Sequence, residues 1–516
     1  MGEQSRFQWL REALDFFDHG DRWSCPRWYI VLVSFLVLLL VSMTMLAIGD
    51  ALNAKGAVLT RYLARAQAPL TAQWGYPAKA RDDITVVLYD QEFLDGSGSA
   101  WPITYGQHAD NLLRLAGEKG LRPKVIFLDI TFGQEREDRT VKDLADALCA
   151  VQGMGIQVFL AGLPTGPKGE LQVRSGLQKG AAPCFELVGV DYFPDELDGL
   201  AWTYELSRHW AGNRMASGPQ PIKGEPFYPS AALAIASARL KLDQTLGPEQ
   251  GRMALVWGHN SAPQDSRPRS LAGCHEGQRE LSQVIPKVLR NLFDEEARTP
   301  LCPYHRTLSA DQLNYMDTSE LRRYVQGKFV LVGANVPGYN DFVQSPVHGL
   351  LPGVHVHAMA LDNFLTFGDE YKAHVEWTDP LHRILVGPAL LGVAAVFLVH
   401  LLWNLVRRRV AAFFAHAAAF EDFQRWTASY KASPWWVRWG AVRVMRALGW
   451  AFRLTLQTIA AMILIALLQK VFRIGMLPVA ELVGMTLVAE GLGLVRVVRD
   501  FLFEPRPAPA PVAPSV

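Results

Sequence analysis

The chain has 516 residues, with 51 basic and 50 acidic side chains, a net charge of +1 and 50% hydrophobic residues; its mean hydropathy is +0.07. Such balanced charge provides no global basic field, which argues against nucleic acid as a partner and against a disordered polyelectrolyte. The hydropathy is too high for an ordinary water-soluble enzyme and too low for membrane helices alone, so the chain is expected to divide between two solvents.

In chain order, residues 1–27 carry Phe7, Leu10, Leu14 and Phe17 on one helical stripe, the pattern of a helix lying on a membrane or docking a partner. Residues 28–49 contain no charged side chain and are long enough to cross a bilayer. The 27 residues before them are more than the basic region of a usual cleaved signal peptide, which favours a signal anchor. Three further spans are expected at 384–406, 450–469 and 474–495. Arg22 and Arg27 precede the first span; Arg407, Arg408 and Arg409 follow the second; Arg496 and Arg499 follow the fourth. The segment 407–449 is basic and aromatic, with Trp435, Trp436 and Trp439. Positive charge favours the cytoplasm, so both termini are expected inside and residues 50–383 outside, with Lys470 and Arg473 the dissenting charges. Within the spans, Glu490 and His400 lie at similar depth from their flanking arginines and are expected to meet as an intramembrane polar contact; structural glue between closely packed helices is the alternative.

The outer region alternates short β-branched runs with helical patterns. Strands are expected at 84–89, 125–128, 157–161 and 329–333, and helices at 107–120, 140–152, 230–241 and 354–367. Fully apolar strands between helices predict an α/β domain, a mainly parallel sheet with helices on both faces. Residues 162–325, rich in Pro, Gly and polar side chains, read as an insertion or second lobe, with a strand expected near 253–257. Four of the five cysteines fall in this outer region: Cys149, Cys184, Cys274 and Cys302. An oxidising space permits two disulfides, with sequential pairing the first choice among three connectivities and buried free thiols the alternative.

Asp90 and Asp129 each end a predicted parallel strand, and open α/β sheets bind ligands at that edge. Together with Glu92 and Asp341 they form a candidate site for a cation or polar ligand; the alternative is that they cap helices and loops. The run 333–338, Gly-Ala-Asn-Val-Pro-Gly, reads as a tight turn rather than a phosphate loop, because Pro337 removes a donor. His355 and His357 diverge by about 200° if helical, which disfavours a joint metal site. No GxSxG, HExxH or Walker A pattern occurs, so no catalytic role, metal or cofactor is expected.

The ordered runs ITVVLYDQEFLDG, WPITYGQHADNLLRLAGEKGLRPKVIFLDITF and GKFVLVGANVPGYNDFVQSPVHGLLPGVHVHAMALDNFLTF resemble the CHASE2 domain, over most of residues 55–370. This family is an extracytoplasmic sensory module of bacterial membrane receptors, with one span before the domain and three after. Asp90, Asp129 and His357 match its pattern, whereas His355 stands where an acid is common. The last span usually leads into a kinase or cyclase module. Here about 20 residues follow the last span, in the Pro/Ala-rich segment 496–516, so the usual output domain is not expected. The resemblance implies a bacterial inner-membrane sensory or scaffold protein with its large domain in the periplasm. It would contact membrane lipid, an unidentified ligand or protein outside, and a separate output protein, with self-association open. A non-sensory subunit of an envelope secretion or surface-assembly complex is the alternative, and an envelope enzyme at the Asp90 and Asp129 edge a third.

Overall fold

The four expected apolar runs become the centre of one parallel sheet. In the computed structural model they form β1 (Ile84–Asp90), β2 (Val125–Thr131), β3 (Gln157–Gly162) and, near the end of the domain, a strand at Phe329–Asn335. The structure describes residues 76–372, except 118–120, 166–168, 180–182, 193, 196–198, 212–213, 217–226, 241–251, 264–267, 272, 275–300 and 340, together with residue 409. No helix among the described residues is long and apolar enough to cross a membrane. The spans expected at 28–49, 384–406, 450–469 and 474–495 lie outside the described residues, as do His400 and Glu490.

Two more strands complete the sheet, β4 (Glu186–Gly189) and β5 (Arg306–Ser309), with Phe329–Asn335 then numbered β6. The order is β5-β1-β6-β2-β3-β4, and every neighbouring pair is parallel. Both edge strands come from the stretch that the sequence leaves as an insertion or second lobe. They are four residues each and begin with Glu186 and Arg306, so neither carries the continuous apolar run of a central strand. A short strand at Arg252–Ala254, close to the one expected, pairs outside this sheet with Thr203–Glu205.

Alternation along the strands divides the core in two. Ile84, Val86, Leu88, Phe127, Phe159 and Leu331 face α4 (Ala231–Leu240) and α6 (Val354–Phe367). Val87, Tyr89, Ile126, Leu128, Leu160 and Val330 face α1 (Gln91–Ser97), α2 (Tyr105–Gly117), α3 (Val141–Gly153) and α5 (Thr318–Val325). Each fully buried aliphatic or aromatic side chain contributes about 1.5–3 kcal/mol relative to exposure. Disulfides join Cys149 to Cys184 and Cys274 to Cys302, with sequence separations of 35 and 28; loops of that size lose unfolded-state entropy equivalent to about 3–4 kcal/mol each.

The connections set where a ligand can approach. The chain leaving β1 or β2 turns to the α1–α3 face, whereas the chain leaving β6, which lies between them, turns to the opposite face and enters α6. This divergence is a topological switch point, where a crevice opens beyond the carboxyl ends of the strands. The turn after β6 is tight but starts later than expected, since 333–335 still pair with β1: Tyr339 N–H donates to the Val336 carbonyl at 3.2 Å, and Gly338 takes a φ of 89° that a side chain would disfavour.

Helix α6 reaches the sheet because Gly333 lacks a side chain. A Cβ built there would lie 2.6 Å from Val354 Cβ and 2.7 Å from its Cγ1. Gly333→Ala is expected to destabilise the domain by about 1–3 kcal/mol through overpacking, with Val354→Ala in the same chain recovering part of the loss. Thermal unfolding of the full chain in detergent measures both; an unchanged melting temperature in the single variant would contradict this packing.

Candidate functional site

Asp129 continues the face that Val125 and Phe127 bury, and the pairing of Val332 with Leu128 sets Gly333 beside it on β6. Its side chain is 8% exposed. No hydrogen-bond donor among the described residues reaches its carboxylate; the nearest polar group is His357 Nε2, 3.7 Å from Oδ2.

That histidine is oriented from behind. Its Nδ1 lies 2.7 Å from the Tyr204 hydroxyl, and the same hydroxyl oxygen accepts from Ala232 N–H, at the start of α4, at 3.3 Å. One proton lies between the Tyr204 hydroxyl and Nδ1, and the tautomer of His357 sets which of the two donates it. Phe127 and Tyr204 pack edge-on against the ring. Burial pushes the imidazole down to about 3, so His357 is neutral and offers Asp129 a dipole rather than a charge.

Asp341 comes from the loop after β6. Its carbonyl accepts the Gly353 N–H at 2.9 Å, immediately before α6, and its carboxylate lies against Gly353 Cα, where a Cβ would overlap Oδ1. The residue stands at the exposed rim, but its carboxyl group is turned toward the buried side, where lost hydration raises its pKa. Burial, and then the charge of Asp341, push Asp129 well above the ordinary carboxylate range.

Asp90 and Glu92 do not join this pair. Asp90 is the N-cap of α1: its Oδ1 accepts from Phe93 N–H at 3.0 Å and from the Ser309 hydroxyl at 2.7 Å, the capping alternative left open by the sequence. With β6 inserted between β1 and β2, the two strands stand about 9–10 Å apart, twice the usual strand spacing. Glu92 faces Arg269, accepting its backbone N–H at 3.2 Å with the guanidinium Nε 3.6 Å away. The four expected carboxylates therefore do not form one group: Asp90 is a cap, Glu92 belongs to a surface ion pair, and Asp129 and Asp341 stand at the edge formed by β2 and the loop after β6. His355 points elsewhere on α6, toward the neighbourhood of His305 and His348, in keeping with the divergence of the two histidines.

A second polar centre lies near the far end of α6. Asp362, fully buried, accepts from the Tyr76 hydroxyl and from Thr366 Oγ1 at 3.2 Å, and its Oδ2 is 3.0 Å from His305 Nε2. Tyr76 also packs edge-on against Phe367, with ring centroids 5.6 Å apart. The beginning and the end of the described domain are thereby tied to one carboxylate. Sequence reasoning singled out neither Tyr76 nor Asp362, nor Tyr204, whose strand is three residues long; the one signal was the single acid within the largely apolar helix 354–367.

A family model described as CHASE2 domain matches residues 32–401. No curated protein and no solved structure matches the chain.

The two aspartates at strand ends should respond oppositely to substitution. Asp90→Ala removes a cap and a buried partner of Ser309, a loss of about 1–2 kcal/mol. Asp129→Asn forfeits no hydrogen bond among the described residues and replaces a carboxyl group whose charged form burial already disfavours, so stability is expected to stay level or rise. Thermal melts of the full chain compare them; equal destabilisation by both would show Asp129 to be a structural group.

Proposed function

The chain belongs to the CHASE2 domain family, whose domains are extracytoplasmic sensory modules, and from that membership we propose a bacterial inner-membrane sensor. Residues 50–383 are its periplasmic part, anchored by the apolar segments 28–49, 384–406, 450–469 and 474–495. Occupancy of the Asp129 and Asp341 edge changes the seating of α6, and the change passes to the segments that flank the domain. The basic, aromatic segment 407–449 then presents it to a separate output protein.

The observation that carries this reading is the course of α6. Its first turn touches the site through Gly353 and the Asp341 loop, and its last turns hold Asp362 and Phe367 against Tyr76. Fourteen helical residues span about 21 Å, and every one from Val354 to Phe364 is buried. A helix packed on all sides moves as a unit, so a ligand that favours one position at its start biases the contact at its end. The two disulfides support an oxidising compartment.

The edge is suited to binding and not to group transfer. The chain of contacts from Asp129 through His357 to Tyr204 has the order of a proton relay, but it terminates at a main-chain N–H of α4, and Tyr204 is itself buried.

Hydrogen exchange of the full chain in lipid nanodiscs tests the sensory reading against a static assembly scaffold. Asp341→Asn perturbs the start of α6 without touching its end. A sensor is expected to change exchange protection at residues 364–372 and beyond 384 as well as at 341–356. Changes confined to 341–356 would favour the scaffold.

A further inference from the structure

We propose that the Asp129 and Asp341 edge binds a hydrated divalent cation of the Mg²⁺ class, which is the signal or part of it. The proposal rests on the sensory reading for its consequence, but its physical basis is independent.

The Asp129 side chain is 8% exposed and meets no hydrogen-bond donor among the described residues; Gly333 lies beside it on β6, and Val354, packed on Gly333, directly follows the Gly353 against which the Asp341 carboxylate lies. The fully buried Asp362 is compensated by Tyr76, Thr366 and His305, and Asp90 through one oxygen by Phe93 and Ser309, its Oδ2 taking no hydrogen bond. Asp129 has a neutral imidazole nitrogen at 3.7 Å, beyond hydrogen-bond length, and no lysine or arginine among the described residues pairs with it or with Asp341. Two carboxylates with no counter-charge form a site whose missing component is positive.

The donor set selects the class of ion. His357 Nδ1 is engaged by the Tyr204 hydroxyl, which leaves at most one imidazole nitrogen, and the described cysteines, Cys149, Cys184, Cys274 and Cys302, are all in disulfides. Two carboxylates outnumber that single nitrogen, a set that suits hard cations over zinc or copper. Among the described residues no group of three or more His, Cys, Asp or Glu is arranged as a complete metal centre. An ion held here must therefore keep most of its water. Mg²⁺ does so, binding through one or two carboxylates, whereas Ca²⁺ seeks six to eight oxygens. Asp341, at the exposed rim, leaves the outer side open to that water. Because the Asp341 carbonyl holds Gly353 N–H, an ion that draws the two carboxylates together also pulls on the first turn of α6.

The test uses Mn²⁺ as a paramagnetic probe, with the full chain in an uncharged detergent at neutral pH and bound metal counted by electron paramagnetic resonance. One site is expected, with affinity on the order of 10⁻⁴–10⁻³ M, displaced by Mg²⁺. Asp129→Asn and Asp341→Asn should each weaken it roughly tenfold or more, and Glu92→Gln, an acid outside the pair, should leave it unchanged. Mn²⁺ binding that is absent, or the same in both Asn variants as in the wild type, would overturn the proposal, including the case in which a shared proton alone neutralises the pair. Such a failure would leave the hydrogen-exchange result on α6 intact, so the two readings fail separately.

Discussion

The insertion of β6 between β1 and β2 is the constraint on which the rest of the domain depends. A strand that is late in the chain but central in the sheet pairs along seven residues with β1 and four with β2. Hydrogen bonding on both edges and burial on both faces make it the least movable element of the core. The chain must then leave β6 on the face opposite to that used by β1 and β2, which opens the crevice and delivers α6 directly over it. The separation of Asp90 from Asp129, the closeness of Asp341 to Asp129, and the need for glycine at 333 all follow from that one placement.

Helix α6 turns this geometry into a connection. Its N-terminal end is packed so closely on the sheet that a single methyl group would collide with Val354, and its C-terminal end supplies Asp362 and Phe367 to the contact with Tyr76. Asn363 adds a third attachment, exchanging hydrogen bonds with both Val256 N–H and carbonyl at 3.2 and 3.1 Å, in the manner of a neighbouring strand. Polar groups buried this deeply are unfavourable unless satisfied. They are satisfied at one end of the helix, at Asp362 and Asn363, and less completely at the other, where His355 Nε2 has no partner and Asp129 on β2 meets no hydrogen-bond donor among the described residues. That asymmetry distinguishes a structural clamp from a place prepared for something else.

The parallel α/β fold was legible because its central strands are β-branched and apolar throughout, and α6 was found at its true limits, 354–367, from composition and the preceding Pro-Gly pair. Edge strands β4 and β5 were not, because a four-residue edge strand headed by Glu186 or Arg306 has no pattern that separates it from a loop. At the site, Asp129 and Asp341 were legible as strand-end and loop acids. Their separation from Asp90 and Glu92 was not, since strand order is a property of long-range pairing that no local window contains. Tyr204 and Tyr76 were illegible for the same reason: each acts on a residue 153 or 286 positions away.

The central claim is that the carboxylate edge and the Asp362 clamp are energetically linked through α6. A double-mutant cycle measures this directly, using Asp341→Asn at the edge and Tyr76→Phe at the clamp, with stability of the full chain in detergent as the readout. Sites this far apart, with no shared partner, ordinarily add to within about 0.3–0.5 kcal/mol. Linkage through α6 predicts a coupling energy clearly above that range, about 1 kcal/mol as for elements with two discrete arrangements. Additivity within the ordinary range would mean that the edge and the clamp are independent features of a rigid domain, and the transmission we assign to α6 would be contradicted.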